Sequence, residues 1–180
     1  MYYSTKDTSP IGELTLACDE TGSLAGLWIA GQKYFLKSLP VRPVPKEDIP
    51  VFAQAKDWLR RYFAGERPAA SELPLAPVGS AFRQEVWNIL CSIPYGEVTT
   101  YGELAQELAA RRGLDRMSAQ AVGGAVGHNP ISIIIPCHRV VGSSGSLTGY
   151  AGGLEKKIRL LTHEGVDVKR FSIPKQGSAL

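Results

Sequence analysis

Cysteine and histidine are scarce in this chain of 180 residues, three of each, and their placement excludes more than their number does. Cys18, Cys91 and Cys137 lack the short spacing of a zinc site, and His128, His138 and His163 all fall late in the chain, so no metal centre is expected. An odd number of cysteines, no signal-peptide pattern and no long apolar run point to a reducing, cytosolic compartment and away from any membrane. Internal repeats and low-complexity tracts are absent. So is a strong excess of one charge, the formal net charge being +3. Residues 1–79 hold nine Lys/Arg and nine Asp/Glu, whereas residues 80–180 hold eleven against eight and carry the whole excess. That bias fits contact with a nucleic acid and equally an ordinary solvated surface. A hydrophobic content of 44% is enough for packed cores in one large domain or two small ones.

What is present divides near residue 79. Tyr2-Tyr3, residues 11–17 and residues 24–29 alternate like strands, with turn residues between them, and predict an antiparallel meander. A proline-rich connection over 40–50 precedes Phe52, Ala55, Trp58, Leu59 and Tyr62 at helical spacing, and a Pro/Ala/Ser-rich stretch over 68–79 reads as a linker. Beyond it, Ser80 can cap a helix, and Thr100 with Glu103 forms a capping box for the next. A further helix is expected over 116–127, so the order helix, turn, helix outlines a helix-turn-helix. Small residues dominate that last helix, including adjacent Gly123 and Gly124. Such a surface admits another backbone closely, either a neighbouring helix or a nucleic-acid groove. Cys18 and Cys91 read as small core residues.

The most informative stretch is Pro136-Cys137-His138-Arg139, entered from the apolar run at 131–135. The run reads as a buried strand that Pro136 must stop, placing the thiol at its mouth. The imidazole and guanidinium beside it can each lower a thiol pKa, and the thiolate is the nucleophile.

Together, Ile-Pro-Cys-His-Arg-Val, Ala-Val-Gly-Gly-Ala, Gly-His-Asn-Pro, Gly-Tyr-Ala-Gly-Gly and His-Glu-Gly resemble the O6-alkylguanine-DNA alkyltransferases, strongly from about residue 82 to 165. The N-terminal Ser-Pro-Ile-Gly-Glu-Leu and Tyr-Phe-Ala-Gly-Glu-Arg-Pro extend the likeness more loosely. The resemblance implies an α+β protein: a ribonuclease H-like α/β domain over 1–79, a mainly helical, winged-helix-like helix-turn-helix domain over 80–170, and a flexible tail over 171–180. It implies a cofactor-free monomer that acts on double-stranded DNA containing alkylated guanine, with O4-alkylthymine as a further candidate substrate. Cys137 would take the alkyl group once and irreversibly, because the product is a thioether. His138 would accept the thiol proton through a water, Glu164 would orient His138, and Tyr101 would donate to the departing base.

By the same resemblance, the carbonyls of Cys137 and Val140 would accept from the exocyclic amine of guanine. Tyr150 would pack on the extruded base, and the Ala151 N–H would face O6. Asn129 would tie the turn beneath the thiol. Ser118, Ala119, Gln120, Ala121 and Gly123 would face the DNA, with Gln120 standing where many members have arginine. Ser132 stands where some have a pocket proline. Lys157 is similar to a family lysine near the site. Spacing alone leaves Tyr101 equally a core aromatic, Glu164 a surface carboxylate at a helix end, and Lys157 a residue of a solvated helix face. Three rival readings each leave a motif unexplained. A lesion sensor needs no thiol, a transcription regulator needs no Pro-Cys-His-Arg, and a cysteine hydrolase needs no glycine-rich groove helix.

Overall fold

Strand alternation at the start of the chain produces the sheet it predicts. The structure is a computed structural model and describes residues 1–174. Strands β1 (Tyr2–Ser9), β2 (Gly12–Asp19) and β3 (Leu24–Ile29) form an antiparallel meander, and β4 (Val44–Pro45) from the proline-rich connection lies parallel to β1. The order is β3-β2-β1-β4. Helix α1 (Pro50–Phe63) opens with proline in its first turn, where a missing N–H costs nothing, and buries Phe52, Ala55, Trp58, Leu59 and Tyr62 toward the sheet. The Trp58 indole donates to the Ala69 carbonyl at 2.9 Å.

The chain forms two compact units, Met1–Gly79 with Pro130–Ile134, and Ser80–Asn129 with the described residues from Ile135 onward. The insertion of 130–134 into the first unit follows from the outer edge of β3. Every residue of β3 is buried, so its ladder groups need partners other than water. Two single-residue bridges supply them, Leu24 to Leu75 and Leu27 to Ile131. The Leu27 N–H donates to Pro130 O at 2.8 Å and Leu27 O accepts from the Ser132 N–H at 2.9 Å. The Ser132 hydroxyl donates to Gln32 Oε1 at 2.9 Å, so this residue is turned into the first unit's interior.

In the second unit, α2 (Ala81–Leu90), α3 (Tyr101–Arg111) and α4 (Ala119–Gly127) pack on one another, and α5 (Leu154–His163) packs on the turn at Cys137–Arg139. Ser80 caps α2, and the Thr100–Glu103 capping box forms in both directions. Two-residue strands β5 (Thr99–Thr100) and β6 (Val140–Val141) pair in parallel. This bridge joins the residues just before α3 to those just after the thiol. Val141, Leu147, Leu161 and Val166 form a core cluster behind it.

Four expectations are corrected. The apolar run at 131–135 is not a strand: only Ile131 bridges, and a turn follows. Continuous burial looks the same in sequence for a strand and for an irregular segment sealed on both sides. Helix α4 starts at Ala119 and not near 116, because the Ser118 hydroxyl accepts from the Ala121 N–H and ends the turn there. Cys91 is exposed, since it is the C-cap beyond the last buried residue of α2. Phe171 and Ser172, at the start of the expected tail, are held: Phe171 packs on the core cluster and Ser172 bridges Ser146. Residues 175–180 of that tail lie outside the described residues. Among the described residues no helix is long and apolar enough to cross a membrane.

The tightest glycine lies in β3. A Cβ on Gly26 would sit 1.9 Å from the nearest Trp28 ring atom, and Trp28 is only 1% exposed, so the ring has no open side to move into. Gly26→Ala is therefore expected to destabilise the protein by about 2–3 kcal/mol, read as a lower urea midpoint; an unchanged midpoint would mean that the indole repacks freely.

Candidate active site

The thiol is carried by a pair of very tight turns. The Ile134 N–H donates to Ser132 O at 2.8 Å across Ile133, whose φ is +71°, and the Cys137 N–H donates to Ile135 O at 2.8 Å across Pro136 at φ −82°, ψ 61°. Both are γ-turns, of opposite hand. The second suits proline, whose ring already holds φ near the required value. The first forces a β-branched residue into left-handed backbone, at a cost of about 1–3 kcal/mol that surrounding contacts must offset. Asn129, at the end of α4, braces this segment. Its Nδ2 donates to Ile135 O at 2.8 Å and to Cys137 Sγ at 3.1 Å. Cys137 then opens a 3-10 turn through Arg139 that leads into β6.

Glu164 at the C-cap of α5 is buried, not a surface carboxylate, and four donors converge on it. His138 Nε2 and Arg139 Nη2 lie 2.7 and 2.9 Å from Oε1; Arg139 Nε and the Gly96 N–H lie 2.9 and 3.2 Å from Oε2. Burial alone would raise its pKa, but the His138 and Arg139 hydrogen bonds and charges hold the carboxyl well below the usual carboxylate range. An ionised carboxylate only accepts, so the His138 Nε2 carries the proton it shares with Glu164. Nδ1 is then the lone-pair nitrogen, and it has no hydrogen-bond partner among the described residues. Burial lowers the His138 pKa, so the ring rests neutral.

The electrostatics of the thiol differ from what its sequence neighbours suggest. Complete burial pushes the Cys137 pKa up, against the Asn129 hydrogen bond, the Lys157 charge and local backbone N–H groups, which lower it. Arg139 does not act on the thiol in the expected way: its guanidinium is committed to Glu164 and to Ile93 O at 2.6 Å. Lys157 takes that part instead. The solvated-face reading fails for it, because its side chain is fully buried and its Nζ donates to Val140 O at 2.5 Å and Thr148 O at 2.8 Å. Desolvation lowers its pKa to about 8, with the Cys137 charge opposing. A sequence signal existed: Lys157, Leu160, Leu161 and Glu164 recur at helical spacing, and all four are buried. Tyr101, the first residue of α3, is buried and donates to Gly149 O at 3.1 Å and Thr148 O at 3.3 Å. Burial, then the Cys137 charge, raises its pKa, so the phenol keeps its proton.

The other expected residues divide by position. Val140 is buried, and its carbonyl already accepts from Lys157. Tyr150 and Ala151 lie half-buried on the loop before α5. Ser118, Ala119, Gln120 and Ala121 are exposed at the start of α4. Gly123 is turned inward, among Val122, Ala125 and Val126, and serves helix packing, where the Trp87 indole donates to Ala125 O at 2.9 Å. Unlike Ser118, Ala119, Gln120 and Ala121, it is buried. No group of three His, Cys, Asp or Glu side chains that could hold a metal occurs among the described residues.

A carboxylate whose folded pKa is depressed stabilises the fold above its unfolded pKa, 4.5 for glutamate, and loses that contribution as the pH falls through the folded value. Glu164→Gln is expected to cost about 3 kcal/mol at neutral pH by leaving Arg139 buried without its counter-charge. The gap in urea midpoint between the two proteins should close as the pH is lowered below 4.5; a gap that stays constant would mean that Glu164 is not ionised in the native state.

Comparison with known proteins accords with this geometry. Residues 1–77 match the family described as 6-O-methylguanine DNA methyltransferase, ribonuclease-like domain, and residues 81–166 match the same enzyme's DNA binding domain. The methylated-DNA–protein-cysteine methyltransferase of Haemophilus influenzae is 42% identical over 168 residues, spanning 91% of this chain and 87% of the relative. That of Methanosarcina acetivorans is 44% identical over 165 residues, spanning 92% and 99%. The crystal structure of Mycobacterium tuberculosis OGT in complex with DNA superposes with a TM-score of 0.75 at 40% identity, covering 94% of each chain. With both halves matched in order, the chain belongs to the 6-O-methylguanine DNA methyltransferase family.

Proposed function

We propose that the protein repairs DNA by moving the alkyl group of O6-alkylguanine onto Sγ of Cys137. The observation that carries the reading is the buried His138–Glu164 pair, which leaves a proton-free Nδ1 on the residue next to a neutral, buried thiol. In the reaction the S–C bond forms as the C–O6 bond breaks. The thiol proton passes to His138 Nδ1 through a bridging water, and the imidazolium is held by Glu164. The guanine leaves with a proton donated by Tyr101; the phenol then regains a proton from solvent as the His138 imidazolium releases one to it, so that the net change is one proton from the thiol to the base. Asn129 and Lys157 stabilise the developing thiolate. The thioether product is inert to water, so each chain acts once.

The target atom lies on the pairing edge of guanine, inside the stack, so the base must be flipped out. The exposed start of α4 is the element proposed to face the DNA, with Gln120 filling the vacated place. Val140 O has a second lone pair beyond the one given to Lys157, and with the Cys137 carbonyl it is assigned to the exocyclic amine. Tyr150 and the Ala151 N–H are assigned to the base face and O6. Three free thiols among the described residues support a reducing, cytosolic setting.

Mixing the protein with duplex DNA containing O6-methylguanine is expected to add one methyl group per chain, mapped to Cys137 by peptide mass spectrometry. Turnover beyond one equivalent, or methylation at Cys18 or Cys91, would refute the assignment.

Gln120→Ala is expected to slow repair of duplex DNA by roughly tenfold or more, while reaction with free O6-benzylguanine stays within about twofold, since only the duplex substrate requires extrusion. Equal losses on both substrates would assign Gln120 to the pocket and not to flipping.

A further inference from the structure

We propose that Arg139 is a positioning residue that sets the proton state of His138, keeping Nε2 protonated and Nδ1 bare by holding Glu164 as a carboxylate. The proposal rests on the reading of His138 as the base. It starts from a count of acceptor sites. A carboxylate has about four lone-pair positions, and here each is met by a donor: two from the Arg139 fork, one from His138 Nε2 and one from the Gly96 N–H. With no position left for a proton on the carboxylate, the hydrogen between Glu164 and His138 belongs to Nε2.

The fork cannot drift from this place. Its remaining Nη1 donates to Ile93 O at 2.6 Å, its Cζ lies 5.7 Å from the Tyr95 ring centroid, and the side chain is 11% exposed. The turn that contributes the Gly96 N–H therefore also holds the guanidinium. Arginine is the side chain that can meet both carboxylate oxygens in one plane while keeping a donor for a backbone carbonyl; lysine keeps the charge without the fork.

Charge balance gives the same answer. With Arg139 in place, Glu164 already has one full counter-charge, so protonating His138 would set a second cation against a single carboxylate. Arg139 and Lys157 both oppose the imidazolium, while Glu164 favours it. These are the charged groups facing the ring, from its own turn and from α5; Cys137 on the same turn and Tyr101 on α3 are uncharged at rest. Without Arg139 the buried carboxylate lacks its partner, and the imidazolium becomes the natural replacement. A protonated His138 has no lone pair for the thiol. Loss of Arg139 thus blocks the base by a protonation error, with every residue that touches the reacting atoms still present.

The test follows His138 directly in the full-length protein, without DNA, by ring nitrogen NMR across a pH series, with the signal assigned against His138→Gln. Methyl transfer to O6-methylguanine duplex is timed at the same pH values. The parent should show neutral Nε2–H imidazole, protonating only below the free value of 6.5. In Arg139→Gln the midpoint should rise by about one pH unit, a tenfold gain in proton affinity, and the acid limb of the transfer rate should move with it. Arg139→Lys should fall between the two. A clamp that serves stability alone would lower the rate at every pH and leave both midpoints in place, and that result overturns the proposal. So does a parent ring protonated on Nδ1, which decides the matter even if Arg139→Gln does not fold. If the parent fails to methylate at Cys137, the repair reading falls while the NMR result stands, so the two failures are distinguishable.

Discussion

A buried carboxylate organises the second unit of this protein. Glu164 joins the end of α5, the turn after α2 and the turn that carries the thiol, because each sends it a donor. An isolated charge at that depth would cost several kcal/mol, so its presence requires close pairing. The pairing is asymmetric. Arg139 supplies a full counter-charge and two hydrogen bonds, whereas His138 supplies one hydrogen bond from a neutral ring. The carboxylate thereby orders an imidazole without converting it to a cation, which is the condition a base must meet.

The same restraint governs the thiol. Its burial raises the pKa and the groups that lower it are individually modest, so the resting sulfur is protonated. A protonated thiol reacts slowly with oxidants. The Asn129 hydrogen bond and the Lys157 charge both favour the ionised form of the sulfur. Tyr101 reaches the neighbourhood through the β5–β6 bridge, which pins the start of α3 to the residues following the 3-10 turn. It stays a proton donor because burial disfavours the phenolate.

Strain enters where the chain is least regular. Ile133 at positive φ and the two successive γ-turns are held by groups on either side: the β3 edge and Gln32 fix 130–132, and Asn129 fixes Ile135 and the sulfur. An isoleucine there would relax to an extended conformation if those bonds were absent. Ser132 is part of this bracing. Its N–H and hydroxyl are both used in pinning, and a proline could supply neither.

Much of this was legible in the residues. Strand alternation, the helix caps at Ser80 and Thr100, and the order helix, turn, helix are local properties, set by side-chain period and by short-range hydrogen bonds, and they determined the element types. The motif around Cys137 and the likeness it carries determined the family and the chemistry. Tertiary structure decided what depends on distance through space. Whether an apolar run becomes a strand depends on what lies beside it, and the edge of β3 needed only one bridge from 131–135. Whether Gly123 meets DNA or a helix depends on which way α4 is rotated, and Val122, Ala125 and Val126 turn it inward. The partners of Arg139 and Lys157 are the clearest case. A sequence places Arg139 next to the thiol and Lys157 twenty residues away from it, yet in the folded chain Arg139 is given to the carboxylate, and it is the charge of Lys157, held on the Val140 and Thr148 carbonyls, that lowers the thiol pKa. Coulomb energy and desolvation follow separation and burial in space, and neither is written in separation along the chain.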